Sequence, residues 1–523
     1  MSSILKLLLI AAFLNGLSWI ILIPVWQYPD EQAHFAQIQD VAELGKRPAD
    51  KLNASLEVAL SEEILGTQRD GLGNNKFTYD PEYKLDYSDN DFGPRENEIL
   101  NLPKTSRTQL VKNEATLNPP LYPFLGSLFY RLFESGSLFV RVYAVRLMSL
   151  ILFMTTMIVS YKIGQLIFTK NKTLPFVLAS LVAFMPMFVF ASTGVLPDPL
   201  TNLLFSLIIF LSLKILTKGL SFFVMFSLII AIILGSLTRQ QFLISIPIIA
   251  FPIIYQLIKN REQISIFLKP ILLLTILIIV LSFFLPQFSF IKSLSAPEVG
   301  QPNLSLLFKM AFIDHFMWTV KNTITQTLPW YWGVYKWLSL TVPHINYQII
   351  NRLVLIAFIG IIIKLFQIIK NRKVEELDLV LFFMLYASTV YFLIFLLWDY
   401  FFYLEHGYSF GIQGRYFFPM ITVHFTILVI GFWQLSQLIF KQFTKYLLIF
   451  IVFLMVIFNN VSLSYVSSSY YETSSISTFV KQVSQYKPQI LKGNFVLFPL
   501  FGALFFQVIF LFYFAKHIIE ENK

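Results

Sequence analysis

A cluster of ionisable residues follows the first hydrophobic stretch of the chain, in the segment "PDEQAHF". It contains Asp30, Glu31 and His34, and on a helix both acids neighbour the histidine because residues three and four apart share a face. Carboxylates beside an imidazole suit general-base catalysis or the binding of a divalent cation. Pro-Asp-Glu is also a common helix opening, so an N-terminal cap is the structural alternative for the same residues.

Three further segments carry isolated ionisable residues at the edges of apolar runs. Asp198 lies in "LPDPL", Arg239 in "SLTRQQF" and Arg415 in "GYSFGIQGRYFFPM". Their structural interpretations are a helix cap, snorkelling to lipid head groups and interfacial anchoring, respectively. The functional interpretation of Arg415 is bidentate binding of a phosphate, and Gly411 and Gly414 would let the backbone approach that ligand closely.

An aromatic segment, "TLPWYWGVYKWLSLTVP" (327–343), precedes a later apolar run and contains Trp330 and Trp332. Tryptophan and tyrosine at this position are typical of the aromatic belt at a membrane interface. The functional alternative is a platform for a sugar ring or a lipid chain, because aromatic faces bind both.

The composition is that of a polytopic membrane protein. The chain has 523 residues, of which 56% are hydrophobic and 13% charged, and these values do not fit a soluble globular domain. The sequence contains no cysteine, which excludes disulfides, thiol catalysis and cysteine–metal sites. The net charge of +10 comes mostly from bases in short loops between apolar runs, which is typical of cytoplasmic loops and not of a nucleic-acid surface.

Apolar stretches of roughly spanning length predict about twelve transmembrane helices in a single all-α domain, residues 1–523. With an uncleaved first span and a cytoplasmic N-terminus, the basic loops lie inside and both termini are cytoplasmic. Segments 26–139 and 286–346 are then the first and second extracytoplasmic loops. The predicted spans are 4–25, 140–168, 173–192, 199–217, 220–236, 241–258, 264–285, 347–369, 378–398, 417–438, 445–466 and 494–514.

The long first loop is expected to carry helices near the membrane. "DEQAHFAQIQDVAEL" places Phe35, Ile38 and Ala42 on one face, which predicts an amphipathic helix on the membrane surface. Residues 66–97 are rich in Gly, Asn, Asp and Tyr and predict an ordered loop or a flexible flap. "NPPLYPFLGSLFYRLF" (118–133) predicts a helix at the interface that leads into the next span.

This topology places nearly every unusual polar residue on the outer side of the membrane. Ionisable residues at membrane depth are costly and usually functional, so their gathering on one face predicts one extracytoplasmic site. A translocation path would instead show charges inside the spans and on both sides. The residues concerned are Asp30, Glu31, His34, Asn118, Asp198, Arg239, Asp314, His315, Asp399, Glu405, His406 and Arg415.

The motifs, in this order, resemble the GT-C superfamily of membrane glycosyltransferases, which includes protein mannosyltransferases, oligosaccharyltransferases and lipid A aminoarabinose transferases. The resemblance includes a cytoplasmic N-terminus, a first span, the acid pair after it and a long outer loop with surface helices, and its motifs cover most of the chain. "NPPLYPFLG" is similar to a His-Pro-Pro-Leu segment of the superfamily, with Asn118 where the histidine often stands, and "RLMSLI" to its Arg-Leu-Pro-Ser segment. More narrowly, "PDEQAHF", "NPPLY", "RLMSL", "LPDPL", "WYWGVYKWL" and "QGRYFFP" resemble a GT-C-like family of bacterial membrane proteins.

The resemblance implies sugar transfer on the outer face of a bacterial plasma membrane. The donor would be a polyprenyl-phosphate or polyprenyl-diphosphate sugar, the acceptor a glycan, lipid or protein of the cell envelope, and the anomeric configuration would invert. Asp30 matches the essential acid of the first loop, which would deprotonate the acceptor hydroxyl or orient it, with Glu31 as the second candidate. Arg415 and Arg239 would hold the lipid phosphate. Asp198, with Asp30, matches acids of relatives that bind a metal, so Mg²⁺ or Mn²⁺ stays open. The other substrate-binding candidates are His34, Asn118, Tyr122, Gln413, Trp330 and Trp332.

Other classes of function fit parts of the pattern. A transporter or flippase of lipid-linked saccharides would need charges or broken helices near the middle of its spans, and the sequence shows few. An O-antigen-type polymerase or ligase would work at the same face with arginine-centred chemistry, and an assembly partner would bind another protein through the outer loop. The sequence has no P-loop and no G-x-G-x-x-G motif, which favours a lipid-linked donor over a nucleotide sugar.

Overall fold

The computed structural model describes residues 3–46, 53–71, 73–88, 92–113, 118–260, 310–439 and 441–520. Within them the chain is mostly helical, and the strands form short antiparallel pairs, Asn53–Ser55 (β1) with Leu110–Lys112 (β2) and Val334–Tyr335 (β3) with Leu340–Thr341 (β4). The α-helices in chain order are α1 (Ser3–Leu22), α2 (Glu31–Leu44), α3 (Leu56–Ile64), α4 (Lys76–Tyr79), α5 (Phe92–Leu100), α6 (Leu121–Leu132), α7 (Leu138–Ile167), α8 (Leu174–Phe184), α9 (Pro186–Ala191), α10 (Asp198–Lys218), α11 (Phe222–Ser236), α12 (Ser245–Lys259), α13 (Met310–Asn322), α14 (Leu328–Trp332), α15 (His344–Asn371), α16 (Glu376–His406), α17 (Ile421–Ile439), α18 (Lys441–Tyr470), α19 (Ile476–Val483) and α20 (Leu497–Glu520).

Over the described ranges, nine helical segments are long and apolar enough to cross a membrane, and the apolar helices α8 and α11 are shorter. The all-α polytopic membrane fold is therefore confirmed. The predicted span 173–192 is interrupted, because the extended backbone of Met185 and the following Pro186 separate α8 from α9. The predicted span 220–236 is a helix of 15 residues, and the predicted span 264–285 lies outside the described residues.

Helices α15 and α17 approach each other closely through small residues. A Cβ atom placed on Gly431 of α17 would lie 2.2 Å from the carbonyl oxygen of Ala357, and one on Gly360 of α15 would lie 2.0 Å from the carbonyl oxygen of Gly431. Lipid chains are as apolar as the side chains they would replace, so such close backbone contact is a main source of helix association in a membrane.

A chain of side-chain amides joins α1, α18 and α20. Asn15 and Asn459 bond to each other through both amides, at 2.6 and 3.3 Å, and Trp19 donates to Asn459 at 3.2 Å. Asn460 donates to Gln507 of α20 at 2.7 Å. These bonds fix the mutual rotation of the three helices, because an unpaired amide in an apolar surrounding is costly. The end of α1, which precedes Asp30, is thereby held in place.

Helix α2 lies inside the protein, and the prediction that it lies on the membrane surface is wrong. Residues 31–40 are all buried, and the helix packs against α6 and β1. Its polar face meets buried polar partners, since Gln39 donates to Glu57 at 2.6 Å and accepts from Ser55 at 2.6 Å. An amphipathic pattern cannot distinguish such a covered polar face from one that faces water.

Helix α6 lies within residues 118–133, for which the sequence predicts a helix that leads into the next span. It leads into α7, and its outward residues Phe124, Leu128 and Leu132 are apolar and exposed, as expected for a helix at a membrane interface. Its other face lies against α2.

A buried ion pair attaches the first loop to α7. The guanidinium of Arg141 lies 2.5 and 3.0 Å from the two carboxylate oxygens of Glu57, and it also donates to the hydroxyl of Tyr130 at 2.5 Å. Because the pair is charged and shielded from water, removing one partner would strand the other, so this contact holds α3 firmly against α7.

Gly431→Ala is expected to destabilise the protein, because the added methyl group would collide with the backbone of α15 and force α15 and α17 apart. Overpacking of this kind costs on the order of 1–3 kcal/mol. Thermal unfolding of the detergent-solubilised protein measures the effect. Gly93→Ala is the matched control, since nothing lies within 4 Å of a Cβ atom at that position. Equal melting temperatures for the two variants would contradict the proposed α15–α17 contact.

Candidate functional site

Asp30 occupies the turn between α1 and α2 in a left-handed backbone conformation, with φ of 57°. It stands at the N-cap position of α2, yet among the described residues its side chain bonds to no amide of that helix. The carboxylate instead lies 2.5 Å from Nη2 of Arg69 and 3.3 Å from Nη2 of Arg415. The capping role is therefore not what orients Asp30. A left-handed non-glycine residue costs on the order of 1 kcal/mol or more and is often found at functional sites.

Arg415 connects this ion pair to a second one. Its Nη1 lies 4.0 Å from Oδ2 of Asp198, and Asp198 lies 2.9 Å from Nη1 of Arg239. The Nε of Arg415 donates to Oε1 of Gln413 at 2.9 Å, which orients the guanidinium. Residues that follow α1 and α11, begin α10 and precede α17 therefore meet at one end of the helix bundle.

His34 lies one turn into α2, behind the carboxylates. Its Nδ1 is 2.9 Å from Nδ2 of Asn118, and the backbone of Asn118 bonds to the side chain of Gln37 at 2.9 and 3.2 Å. Burial lowers the pKa of His34 to about 4, while the surrounding carboxylates and guanidinium groups act in opposite directions. The imidazole is therefore neutral at physiological pH and can accept the hydrogen bond from the Asn118 amide.

The electrostatic surroundings keep Asp30 ionised. Burial alone would raise its pKa, but the guanidinium groups of Arg69 and Arg415 hold the pKa well below its usual range. The side chain keeps 31% of its surface accessible, so a ligand can still reach the carboxylate. An ionised carboxylate within reach of a ligand is what a general base requires.

The carboxylate and both guanidinium groups line a cavity with an empty volume of about 730 Å³, counted out to its open side. That size is within the range of small-molecule sites. The walls combine the polar residues with aromatic and aliphatic side chains. Its lining consists of Pro29, Asp30, Arg69, Gly73, Asn74, Tyr79, Met187, Phe190, Val334, Tyr335, Trp337, Leu338, Gln413 and Arg415.

One wall of the cavity comes from the first loop, where residues 66–97 were expected to form an ordered loop or a flap. Arg69 stacks over the ring of Trp337 at 4.9 Å, and the hydroxyl of Tyr79 donates to the carbonyl of Trp337. Lys336, Trp337 and Leu338 have left-handed backbones, with φ of 49°, 52° and 69°. Three successive strained residues beside the cavity indicate that the position of Trp337 is tightly specified.

Glu31 has a different surrounding from its neighbour Asp30. Its carboxylate oxygens lie 2.8 and 2.6 Å from Arg146 of α7, and they also accept from the backbone amides of Trp26 at 3.0 Å and Val195 at 3.3 Å. Both charged side chains are fully buried. Because these contacts occupy the carboxylate, Glu31 is placed to hold α1, α2 and α7 together and is poorly placed to act as a base.

Tyr122, Trp330 and Trp332 lie away from the lining of the described cavity. Tyr122 is buried and its hydroxyl is 3.3 Å from that of Ser149. Trp332 lines a separate, apolar cavity between α15, α17 and α18, and the backbone of Trp330 packs against Gly414. The aromatic segment 327–343 does contribute to the site, but through Tyr335 and Trp337.

The sequence reasoning missed Arg69, Tyr335 and Trp337. Arg69 is one of several bases in a long polar segment, and its spacing from Asp30 follows no helical or strand periodicity. The signal available was the "RDG" turn composition around it, which indicates an ordered loop and not a function. Tyr335 and Trp337 belong to the quoted aromatic segment, but composition alone could not rank its rings.

Asp399 and His315, expected on the outer side with the other polar residues, form a separate cluster. Asp399 lies 3.2 Å from Nε2 of His315 and accepts from the hydroxyl of Ser409 at 2.9 and 2.7 Å and from the amide of Phe410 at 2.9 Å. The hydroxyl of Thr327 donates to the carbonyl of residue 412 at 2.8 Å. These bonds hold the loop that delivers Gln413 and Arg415, so the cluster supports the cavity from outside.

The charge around the two candidate metal ligands suits an anion better than a cation. Asp30 and Asp198, the two candidate metal ligands, are already paired with Arg69, Arg239 and Arg415, so the cluster carries a net positive charge. Among the described residues, no group of three His, Asp or Glu side chains comes together, so side chains alone form no complete metal cage there. A positively charged cluster beside an open cavity suits an anion.

Residues 13–423 match the sequence model of a family described as "Predicted membrane protein (DUF2142)". A comparison with the curated proteins found no match. The oligosaccharyltransferase of Archaeoglobus fulgidus in the apo form aligns with 93% of this chain at 11% identity and a TM-score of 0.44. ArnT of Cupriavidus metallidurans bound to undecaprenyl phosphate aligns with 98% of this chain at 11% identity and a TM-score of 0.38. This chain covers 78% of the ArnT chain.

The archaeal oligosaccharyltransferase AglB in complex with an inhibitory peptide and a dolichol-phosphate aligns with 88% of this chain at 12% identity and a TM-score of 0.44. This chain spans just over half the length of the two oligosaccharyltransferase chains, 57% and 56%. TM-scores below 0.5 do not establish a common fold, so what the cavity does has to be inferred from its own residues.

Glu31→Gln and Asp30→Asn are expected to affect stability differently. Glu31→Gln leaves Arg146 charged and buried without its partner, which costs on the order of 3–5 kcal/mol. Asp30→Asn removes a partly exposed carboxylate between two arginines, which costs about 1 kcal/mol or less. Thermal unfolding in detergent compares the two. A larger loss for Asp30→Asn would show that Asp30, and not Glu31, is the structural acid.

The lowered pKa of His34 predicts a pH dependence of stability. The unfolded state binds a proton below about pH 6.5 and the folded state only below about pH 4, so this residue's contribution to the free energy of unfolding falls as pH decreases between those values. The difference between wild type and His34→Gln should change by up to about 3 kcal/mol across that window. Melting temperatures from pH 7 to pH 4 measure it. Parallel curves would contradict a buried, neutral imidazole.

Proposed function

The chain belongs to the DUF2142 family of predicted membrane proteins, and from its cavity we propose that it is a GT-C-like membrane glycosyltransferase. It transfers a sugar from a polyprenyl-linked phosphate donor to a hydroxyl of a cell-envelope acceptor. The observation that carries this proposal is the distance of 3.3 Å between Asp30 and Arg415, which are 385 residues apart in the chain and line the same cavity. A base and a phosphate ligand must converge in this way for glycosyl transfer.

Arg415 binds the phosphate of the donor in the proposed reaction. A guanidinium offers two parallel donors to phosphate oxygens, and negative charge grows on that phosphate as the bond to the anomeric carbon breaks. Arg239 lies behind Arg415 and reaches it through Asp198. Asp198 pairs with Arg239 and lies 4.0 Å from Arg415. Asp198 and Gln413 orient the guanidinium, which is a positioning role.

Asp30 removes the proton from the acceptor hydroxyl as the hydroxyl oxygen attacks the anomeric carbon. Attack from the side opposite the phosphate would invert the configuration. In the ligand-free protein the two adjacent arginines make the carboxylate a weak base, because they favour its ionised form. When a donor phosphate attracts those arginines, the pKa of Asp30 rises and its basicity increases, so that donor binding prepares the base.

The walls of the cavity support a sugar and a lipid chain as neighbours. Trp337, which is partly exposed, offers an aromatic ring for a sugar, and the more deeply buried Tyr335, Met187 and Phe190 give an apolar side toward the helix bundle. The cavity lies at the end of the bundle where α1 ends and α10 begins, so a head group there can keep its chain in the membrane. The apolar exposed face of α6 lies beside this end.

We place this end of the bundle on the extracytoplasmic side, in a bacterial plasma membrane. The bases between the spans are concentrated in loops such as "TKNKT" and "KILTKG", which belong to the opposite end and favour the cytoplasm. Lys492 pairs with Glu96 of the first loop, so α20 starts on the side of the first loop and runs away from it. Both termini then lie on the cytoplasmic side.

The experiment is complementation of a gene deletion followed by mass spectrometry of envelope glycans, lipids and proteins. Wild type should restore one sugar-bearing species, Asp30→Asn should lower it at least about 100-fold, and Arg415→Lys should lower it less because the charge is kept without the bidentate geometry. Arg95→Gln, an exposed arginine on α5, is the control for expression and general charge effects. Full restoration by Asp30→Asn would overturn the proposal and favour a transporter.

A further inference from the structure

The cavity has a definite charge balance. Among the residues that the structure describes, its charged lining consists of the cations Arg69 and Arg415 and the anion Asp30, which sum to one positive charge. The pair of Asp198 and Arg239 behind them sums to zero. His34, also behind them, is neutral at physiological pH. The total charge is therefore one positive charge, whether or not Asp198, Arg239 and His34 are counted with the lining.

From this balance we infer that the donor is a polyprenyl monophosphate sugar and not a polyprenyl diphosphate sugar, with its phosphate held between Arg69 and Arg415. The inference rests on the proposed function and specifies its donor. A phosphodiester carries one negative charge and brings the cavity to neutrality. A diphosphate diester carries two and would leave one buried negative charge without a partner, which is costly in a partly desolvated site.

The reaction keeps this balance from start to finish. The acceptor oxygen forms a bond to the anomeric carbon, the bond from that carbon to the phosphate oxygen breaks, and the hydroxyl proton goes to Asp30. The leaving polyprenyl phosphate then carries two negative charges, and they face two guanidinium groups while Asp30 is neutral. A diphosphate leaving group would carry three, one more than the described cations of the cavity can match.

Arg69 is well placed to be the second phosphate ligand. Residues 69 and 75 form a backbone bridge, and the side-chain amide of Asn75 donates to the carbonyl of Thr67 at 3.2 Å. These bonds order the loop around Arg69. Its guanidinium lies against the ring of Trp337 at 4.9 Å and beside Asp30. A short rotation of the Arg69 guanidinium from the Asp30 carboxylate to an adjacent phosphate would keep its stacking contact with Trp337.

Lys336, another cation close to this wall, points away from the cavity. Lys336 precedes Trp337, but its ammonium group donates to the carbonyl of Ser469 at 3.1 Å and faces the ring of Tyr470 at 5.0 Å. It is also outside the described lining of the cavity. The phosphate charge must therefore be matched by Arg69 and Arg415. When the phosphate gains a second negative charge in the reaction, Asp30 takes up a proton and loses its own.

The test is binding of sugar-free lipid probes to the full-length detergent-solubilised protein, measured by native mass spectrometry. The probes are the methyl diesters of polyprenyl phosphate and of polyprenyl diphosphate with equal chain length, and the uncharged polyprenol. Wild type should bind the monophosphate diester at least about tenfold more tightly than the diphosphate diester. Arg69→Gln should lose at least about tenfold for the monophosphate, and Arg95→Gln should match wild type.

Asp30→Asn is the decisive variant, because it raises the charge of the lining to two positive charges. It should shift the preference toward the diphosphate diester at least about tenfold. Equal or tighter binding of the diphosphate by wild type, or an unchanged preference in Asp30→Asn, would overturn the donor inference while the glycosyltransferase proposal stands. Binding of both charged probes no better than polyprenol would overturn the proposed function itself, and the donor inference with it.

Discussion

The contact on which the rest of the site depends is the carboxylate of Asp30 between the guanidinium groups of Arg69 and Arg415. It joins the end of the first span, the first loop and the segment before α17, which are far apart in the chain. The carboxylate lies 2.5 and 3.3 Å from the two guanidinium groups, and the partial exclusion of water strengthens their attraction. The same contact therefore holds distant segments of the chain together and sets the charge of the cavity.

Two successive acids show how the surroundings divide roles between similar residues. Glu31 is enclosed by a buried arginine and by backbone amides, and it holds helix ends together. Asp30, one residue earlier, lies beside an open cavity with a third of its surface accessible. A carboxylate that is fully bonded stabilises the fold, whereas one whose cations also line a cavity can share them with a ligand.

Much of the fold and part of the site could be predicted from the sequence. Hydropathy and the distribution of bases predicted one shared side for twelve polar residues, and the structure brings Asp30, Asp198, Arg239 and Arg415 together but places His315 and Asp399 in a separate cluster. The loop around Arg69 has no periodic pattern, so its contact with Asp30 depends on three-dimensional packing that a single sequence does not reveal. The same limit explains the burial of α2, since a polar helix face can meet either water or buried partners.

The left-handed backbone of Asp30 restricts which amino acids could ever stand there. Aspartate and asparagine tolerate that conformation better than other non-glycine residues, and only aspartate among them brings a negative charge. Glutamate has the charge but a longer chain and a poorer fit to the conformation. The geometry of the turn and the chemistry of the cavity therefore select the same residue independently, so natural variants with an intact cavity should be nearly uniform at this position.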